Sequence, residues 1–168
     1  MREHLAPDDS YLLVCTQGLG NTLLNLGRLD EAQALFETVR ELAIAAGDTG
    51  TTMLANAIGS LAEVAYSRGH LEEALDLYAE GAAVRARRLP PDHWTFGRAD
   101  LRTAIILHDL GRVEEALGRL RSAYEIHLPA YGAEHGAVVD VVKLAVEWHE
   151  GLGDAEAAAE WRARLPEE

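Results

Sequence analysis

Apolar residues recur at three- and four-residue steps along most of the chain. Between residues 29 and 43 they fall at Leu29, Ala32, Leu35, Phe36, Val39 and Ala43, which places them on one face of a helix. The stripe returns at Leu71, Ala74, Leu75, Tyr78, Ala82 and Ala86, while Glu72, Glu73, Asp76 and Glu80 fall on the opposite, wet side. Strand-like alternation is absent. A glycine follows each periodic segment, as expected of the residue that can turn left-handed after a helix without a Cβ penalty. The pattern predicts eight helices, at about 10–26, 29–46, 52–68, 71–88, 94–110, 113–130, 136–152 and 155–165.

The same glycines set a period. Gly27, Gly69, Gly111 and Gly153 stand 42 residues apart, and so do Ala32, Ala74, Ala116 and Ala158. NLGRLDEA at 25–32 therefore reappears as SRGHLEEA, as DLGRVEEA and, more weakly, as GLGDAEAA. A fixed period of this size is the mark of stacked repeats. The repeats fall at about 10–51, 52–93, 94–135 and 136–168 within a single domain spanning 1–168. Between the helix pairs lie GDTGTT, LPPDHW and YGAEHG, rich in residues that favour turns and helix starts. In this register REHLAPDDS aligns with ARRLPPDHW, so residues 1–9 read as the tail of a preceding repeat. The first helix, YLLVCTQGLGNTLLNL, is strongly apolar with nothing obvious before it. An array needs its end surfaces covered, so this end either pairs with something or was cut from a longer array.

Small residues face each other across each predicted pair: Gly20 with Ala32, Ala62 with Ala74, Ala104 with Ala116, and Val146 in the weaker fourth copy with Ala158. Large residues flank them at Leu19, Leu23, Leu61, Leu107, Phe36 and Tyr78. This arrangement resembles the tetratricopeptide repeat. The 42-residue period and the phrases REHLAPDD, RRLPPDHW and YGAEHG are similar to its kinesin-light-chain subclass. The closing EWHEGLGDAEAAAEWRARLPEE resembles the repeat-rich tails of bacterial signalling proteins, serine/threonine kinases among them.

The resemblance implies an all-α superhelix, a solenoid of four helix pairs, whose first helices line a concave groove that takes an extended peptide. By register the groove positions are Gln17, Asn21 and Leu24; Asn56, Glu63 and Tyr66; Arg98, Arg102 and His108; and Asp140, Lys143 and Glu147, with Asn25 and Ser60 beside them. The paired asparagines common in the subclass are replaced here by Gln17–Gly18, Gly59–Ser60, Leu101–Arg102 and Lys143–Leu144. Asn can donate to and accept from a peptide backbone, and Arg offers a fork to a carboxylate. Arg98, Arg102 and Lys143 form an island of positive charge, which points to an acidic or C-terminal segment as the ligand.

Charge and composition narrow the functional classes. A formal charge of −13 argues against general affinity for nucleic acid or anionic membrane. No apolar run reaches the roughly 18 residues of a membrane span. One cysteine, an N-terminus without an apolar signal core and an acidic surface fit a reducing cytoplasm. The seven histidines contain no HExxH and no cysteine at ligand spacing. His93 and His135 share a repeat position just before a helix and read as helix-start residues. His108 and His149 are out of register with each other and read as surface or groove residues. The acidic pairs Asp30–Glu31, Glu72–Glu73 and Glu114–Glu115 open second helices, where they complement the helix dipole. Cys15 reads as a buried thiol, and Trp94, Trp148 and Trp161 as core or end-cap packing.

No glycine-rich nucleotide loop, HRD or DFG is present, and no Ser/His/Asp set assembles. The sequence thus predicts a non-catalytic interaction scaffold without cofactor or metal, whose partner is a protein or peptide. The alternatives are a regulatory or sensor segment of a larger kinase or transcription regulator, and a self-assembly element forming a homodimer through its end surfaces.

Overall fold

The computed structural model describes residues 7–45 and 52–166. They form α1 (Pro7–Asn25), α2 (Leu29–Ala45), α3 (Thr52–Ser67), α4 (Leu71–Arg85), α5 (Trp94–Asp109), α6 (Val113–Tyr131), α7 (Gly136–Gly151) and α8 (Ala155–Arg162). Every predicted helix is present, with ends shifted by at most three residues. The tail assigned to residues 1–9, apart from the start of α1, and the linker GDTGTT up to residue 51 lie outside the described residues. The helices divide into two compact units, Met1–Leu89 and Pro90–Glu168, each holding two helix pairs.

Four turns inside the pairs share one hydrogen-bond pattern. Gly27, Gly69, Gly111 and Gly153 have φ of 73°, 78°, 75° and 74°. After α1 the Arg28 N–H donates to Leu23 O and the Gly27 N–H to Leu24 O, both at 2.9 Å. The matching bonds are His70 to Ala65, Arg112 to Leu107 and Asp154 to His149. This is the Schellman closure, which satisfies carbonyls that a helix end would otherwise strand. Three of the second helices then open on a pair in one register. Arg28 and Arg112 form two-pronged bonds with Glu31 and Glu115 at 2.6 and 2.7 Å, and His70 lies 3.3 Å from Glu73. Arg28 holds the Glu31 carboxyl below its ordinary range, and Arg112 does the same for Glu115. The fourth turn substitutes Asp154, which accepts from the Ala157 N–H at 3.1 Å.

Small residues set the helix spacing. Ala32, Ala74, Ala116 and Ala158 are at most 1% exposed. A Cβ on Gly20 would stand 2.5 Å from Phe36 Cε1, so α1 and α2 touch where Gly20 has no side chain. Phe36 joins Leu23, Ala32, Leu61 and Val64 in one cluster, while Val39 packs with Leu13 and Ala57. Ala43, Leu54, Ala55, Ile58 and Val84 form another.

The stripe predicted for α4 holds at Ala74 and Tyr78 and then departs from expectation: Ala86 is exposed beyond the helix end, and Arg85 turns inward. Position 43 of the first pair recurs as Arg85 and His127, and all three residues are buried, at 3, 8 and 2% exposure. Bulk on the second helix is matched by smallness on the first. Arg85 Nη2 donates to Ala55 O at 3.2 Å, and a Cβ on Gly97 would lie 2.5 Å from His127 Cδ2.

Cys15 and Trp94 also depart from the sequence expectations. Cys15 is exposed, because the apolar residues of α1 extend beyond the one arc that meets other helices. Trp94 is 40% exposed rather than core: it starts α5 and lies beside the tilted rings of His93 and Tyr131, with ring centroids 5.6 and 6.3 Å away. Trp148 and Trp161 are buried as expected, at 7 and 5%.

Candidate functional site

In the first unit the polar positions of α1 and α3 meet. Gln17 Nε2 donates to Ser60 Oγ at 2.8 Å and lies 3.4 Å from Asn21 Oδ1, to which Ser60 Oγ also reaches at 3.4 Å. Gln17 is 9% exposed, so its amide serves chiefly to tie α1 to α3. Asn56 accepts from Arg85 Nη2 at 3.4 Å, and Glu63 accepts from the Tyr78 hydroxyl, which leaves both partly engaged inside the unit. Tyr66 and Leu24 are half-buried, whereas Asn21 and Asn25 are exposed. An edge of amide and hydroxyl groups results, organised by partly buried bonds.

The second unit is built differently. Arg98 on α5 and Asp140, Lys143 and Glu147 on α7 are exposed, and Arg102 is half-buried. His108 lies flat on Trp148, ring centroids 4.3 Å apart and planes 8° from parallel. That stack holds the imidazole by its face, and His108 is half-buried. Most arginines are already committed elsewhere: Arg40 to Glu80 at 2.7 Å, Arg68 to Asp30 at 2.5 Å, Arg119 to Asp100 at 2.9 Å, and Arg162 to Glu150. Arg98 and Lys143, like Arg121 on α6, enter no ion pair among the described residues.

His93 and His135 behave as their register implies, whereas His149 departs from the surface position expected of it. His93 Nδ1 accepts from the Thr95 N–H at 3.4 Å and His135 Nδ1 from the Ala137 N–H at 3.2 Å, capping α5 and α7. His149 is largely buried, its Nδ1 3.3 Å from Asp154 Oδ2, so it belongs to the turn before α8 rather than to an open surface. It also borders a small recess with Leu117, Arg121 and Trp161. Among the described residues no three His, Cys, Asp or Glu side chains are grouped to hold a metal ion. No described helix is long and apolar enough to cross a membrane.

Sequence reasoning missed His127 and Arg85. Their signal was the stripe itself: His127 follows Ala116, Leu120 and Ala123 at helical spacing, in the place Arg85 holds after Ala74, Tyr78 and Gly81. Burial pushes the His127 imidazole below its ordinary value, since the charged ring would be poorly solvated there. Below pH about 6.5 the unfolded chain therefore takes up a proton that the folded ring refuses. Stability should fall as pH drops from that point, until the lower folded value is passed. Urea midpoints measured from pH 7.5 to 5 test this: His127→Leu should flatten the slope, and an unchanged slope would contradict it.

Paired helices joined by Gly-terminated turns, with small residues at the crossing and a 42-residue register, define an all-α protein of the helical-repeat solenoid class. Residues 12–87 match the tetratricopeptide repeat family model. No curated protein matches the sequence. Among solved structures, the chain is similar to the nearly identical TPR-like repeats of a Podosopora anserina protein assigned as a kinesin light chain. That match has 20% identity and a TM-score of 0.77, covering 89% of this chain and 71% of that one. BtubC (BKLC) from P. vanneervenii aligns at 17% identity and a TM-score of 0.78, over 92% of this chain and 61% of its own length. MamA aligns at 15% identity and 0.63, over 90% of this chain and 75% of that one. These likenesses carry the repeat fold beyond residue 87. It is a fold that generally serves as a scaffold for protein–protein contacts.

Proposed function

We propose that the chain is a non-catalytic interaction module, and that the exposed faces of α5 and α7 receive an acidic or C-terminal segment of a partner protein. The observation that supports this is the uncommitted charge of Arg98 and Lys143. In a chain with 28 acidic and 15 basic residues, carboxylates are abundant enough to occupy most arginines. An exposed cation left unpaired on the first helix of a pair is available to an incoming carboxylate, and Arg can bind it through two parallel N–H bonds. Arg102 follows Arg98 by one turn on the same face of α5, and His108, fixed on Trp148, lies nearer the end of that helix. In the first unit, Asn21 and Asn25 supply neutral donors and acceptors suited to a peptide backbone.

Arg98→Glu combined with Arg102→Glu should abolish binding of an acidic peptide. Arg98→Glu alone, at an exposed position, should weaken it while leaving helicity unchanged. Arg121→Glu, on a second helix, should have little effect. Unchanged affinity in both Arg98 variants would sink the reading. Weak long-range attraction also implies tighter binding at low salt, because the Debye length grows from about 8 Å at physiological ionic strength to about 30 Å at 0.01 M.

A further inference from the structure

The outward face of α1 is the largest feature this function leaves unused. Leu12, Leu19 and Leu26 are 59, 54 and 66% exposed, and Tyr11 beside them is 74% exposed. The repeat register shows how such a face is used inside the molecule. Leu12, Cys15, Thr16, Leu19 and Thr22 correspond to Leu54, Ala57, Ile58, Leu61 and Val64 of α3, which are 4, 0, 0, 7 and 2% exposed beneath α2. They correspond again to Val138, Val141, Val142, Ala145 and Trp148 of α7, at most 7% exposed beneath α6. The same face is therefore a buried helix–helix contact twice, and on α1 it is open.

We propose that this face docks against the same face of a second copy of the chain, the two α1 helices running antiparallel about a twofold axis at Leu19. Three observations select this occupant. First, residues 11–27 carry no charge in a chain of net charge −13, so two copies can meet here without opposing carboxylates. Second, the stripe is symmetric about its centre: Leu12 and Leu26 lie seven residues either side of Leu19, and Thr16 and Thr22 lie three either side. In an antiparallel pair, Leu12 of one copy faces Leu26 of the other. The threonine hydroxyls already donate to Leu12 O and Gly18 O of their own helix, at 2.8 and 3.0 Å, so their burial strands no donor. Third, the opposite end of the chain does not fit. The outer side of α8 exposes Glu156, Glu160 and Arg162, and stacking it on leucines would desolvate those charges at considerable cost.

The stripe is about 21 Å long at 1.5 Å per residue. Two copies would bury on the order of 1,000 Å², the low end of specific interfaces, so the dimer should be reversible and concentration-dependent. It does not depend on the peptide surface of α5 and α7.

Sedimentation of the full chain across dilution tests the proposal. The expected result is a monomer–dimer equilibrium whose dissociation constant rises more than about a hundredfold with Leu19→Glu, because two carboxylates would be buried at the axis. Leu19 is exposed in the single chain, so helicity should be unchanged, and Leu26→Glu provides a second, independent disruption. A strict monomer at several hundred micromolar would overturn the proposal. Cross-linking reads the orientation. The two Cys15 residues would lie about 12 Å apart along the axis, beyond disulfide reach, whereas Leu19→Cys in a Cys15→Ser background should oxidise to a covalent dimer. Rapid cross-linking through Cys15 with Leu19→Cys inert would also overturn it.

Discussion

Replacing Phe36 with alanine should lower the unfolding free energy by about 3–5 kcal/mol, the range for truncating a fully buried aromatic residue. Phe36 is 0% exposed and packs with Leu23, Ala32, Leu61 and Val64, so it joins α1, α2 and α3 in one cluster. The loss has two parts, the transfer of the removed ring atoms and a cavity that three helices can only partly close. Because the helix pairs are held by neighbour contacts, the loss should be seen first in the unit containing α1–α4. Chemical denaturation followed by far-ultraviolet circular dichroism measures it. A loss below about 1 kcal/mol would mean that the first pair is not packed as described.

Gly20→Ala should destabilise even though alanine is the better helix former. The propensity gain is about 1 kcal/mol. Against it stands a Cβ placed 2.5 Å from Phe36 Cε1, with Phe36 enclosed on every side, and overpacking of that kind costs about 1–3 kcal/mol. The collision therefore wins. Gly18, two residues away in the same helix, has nothing within 4 Å of its missing Cβ. Gly18→Ala should keep the propensity gain and stabilise, so the two substitutions should move in opposite directions. Adding Phe36→Leu to Gly20→Ala should recover part of the loss, a non-additivity that a double-mutant cycle reads directly. Two stabilising alanines, or two equally harmful ones, would contradict the close approach of α1 and α2.

These predictions rest on the part of the structure that was most legible in the sequence. The 42-residue interval of the glycines and alanines predicted the helix pairs, the left-handed turns and the close crossings, because each follows from backbone conformation or side-chain size at one position. His93 and His135 were legible for the same reason, as residues just before a helix start. What failed needed knowledge of which surfaces meet. Cys15 belongs to a helix whose apolar residues extend beyond one arc, and periodicity cannot tell which arc of such a helix is covered. Trp94 carries a large ring, yet at the first turn of α5 it stays 40% exposed beside the tilted rings of His93 and Tyr131. Arg85 and His127 were hidden by their polarity, although they sit on the buried stripe, opposite the small residues Ala55 and Gly97. For the groove positions, register offered candidate helix faces. It did not foresee that Gln17 and Glu63 would be engaged by Ser60 and Tyr78, which left exposed Arg98 and Lys143 as the stronger candidates.

The most direct test of the interaction reading is calorimetric titration of the chain with an acidic peptide ending in a free carboxylate, run in parallel with the Arg98→Glu, Arg102→Glu double variant. The account predicts saturable binding to the parent chain, weakened by salt, and no detectable heat of binding to the variant at equal helicity. Equal affinity for both proteins would contradict it.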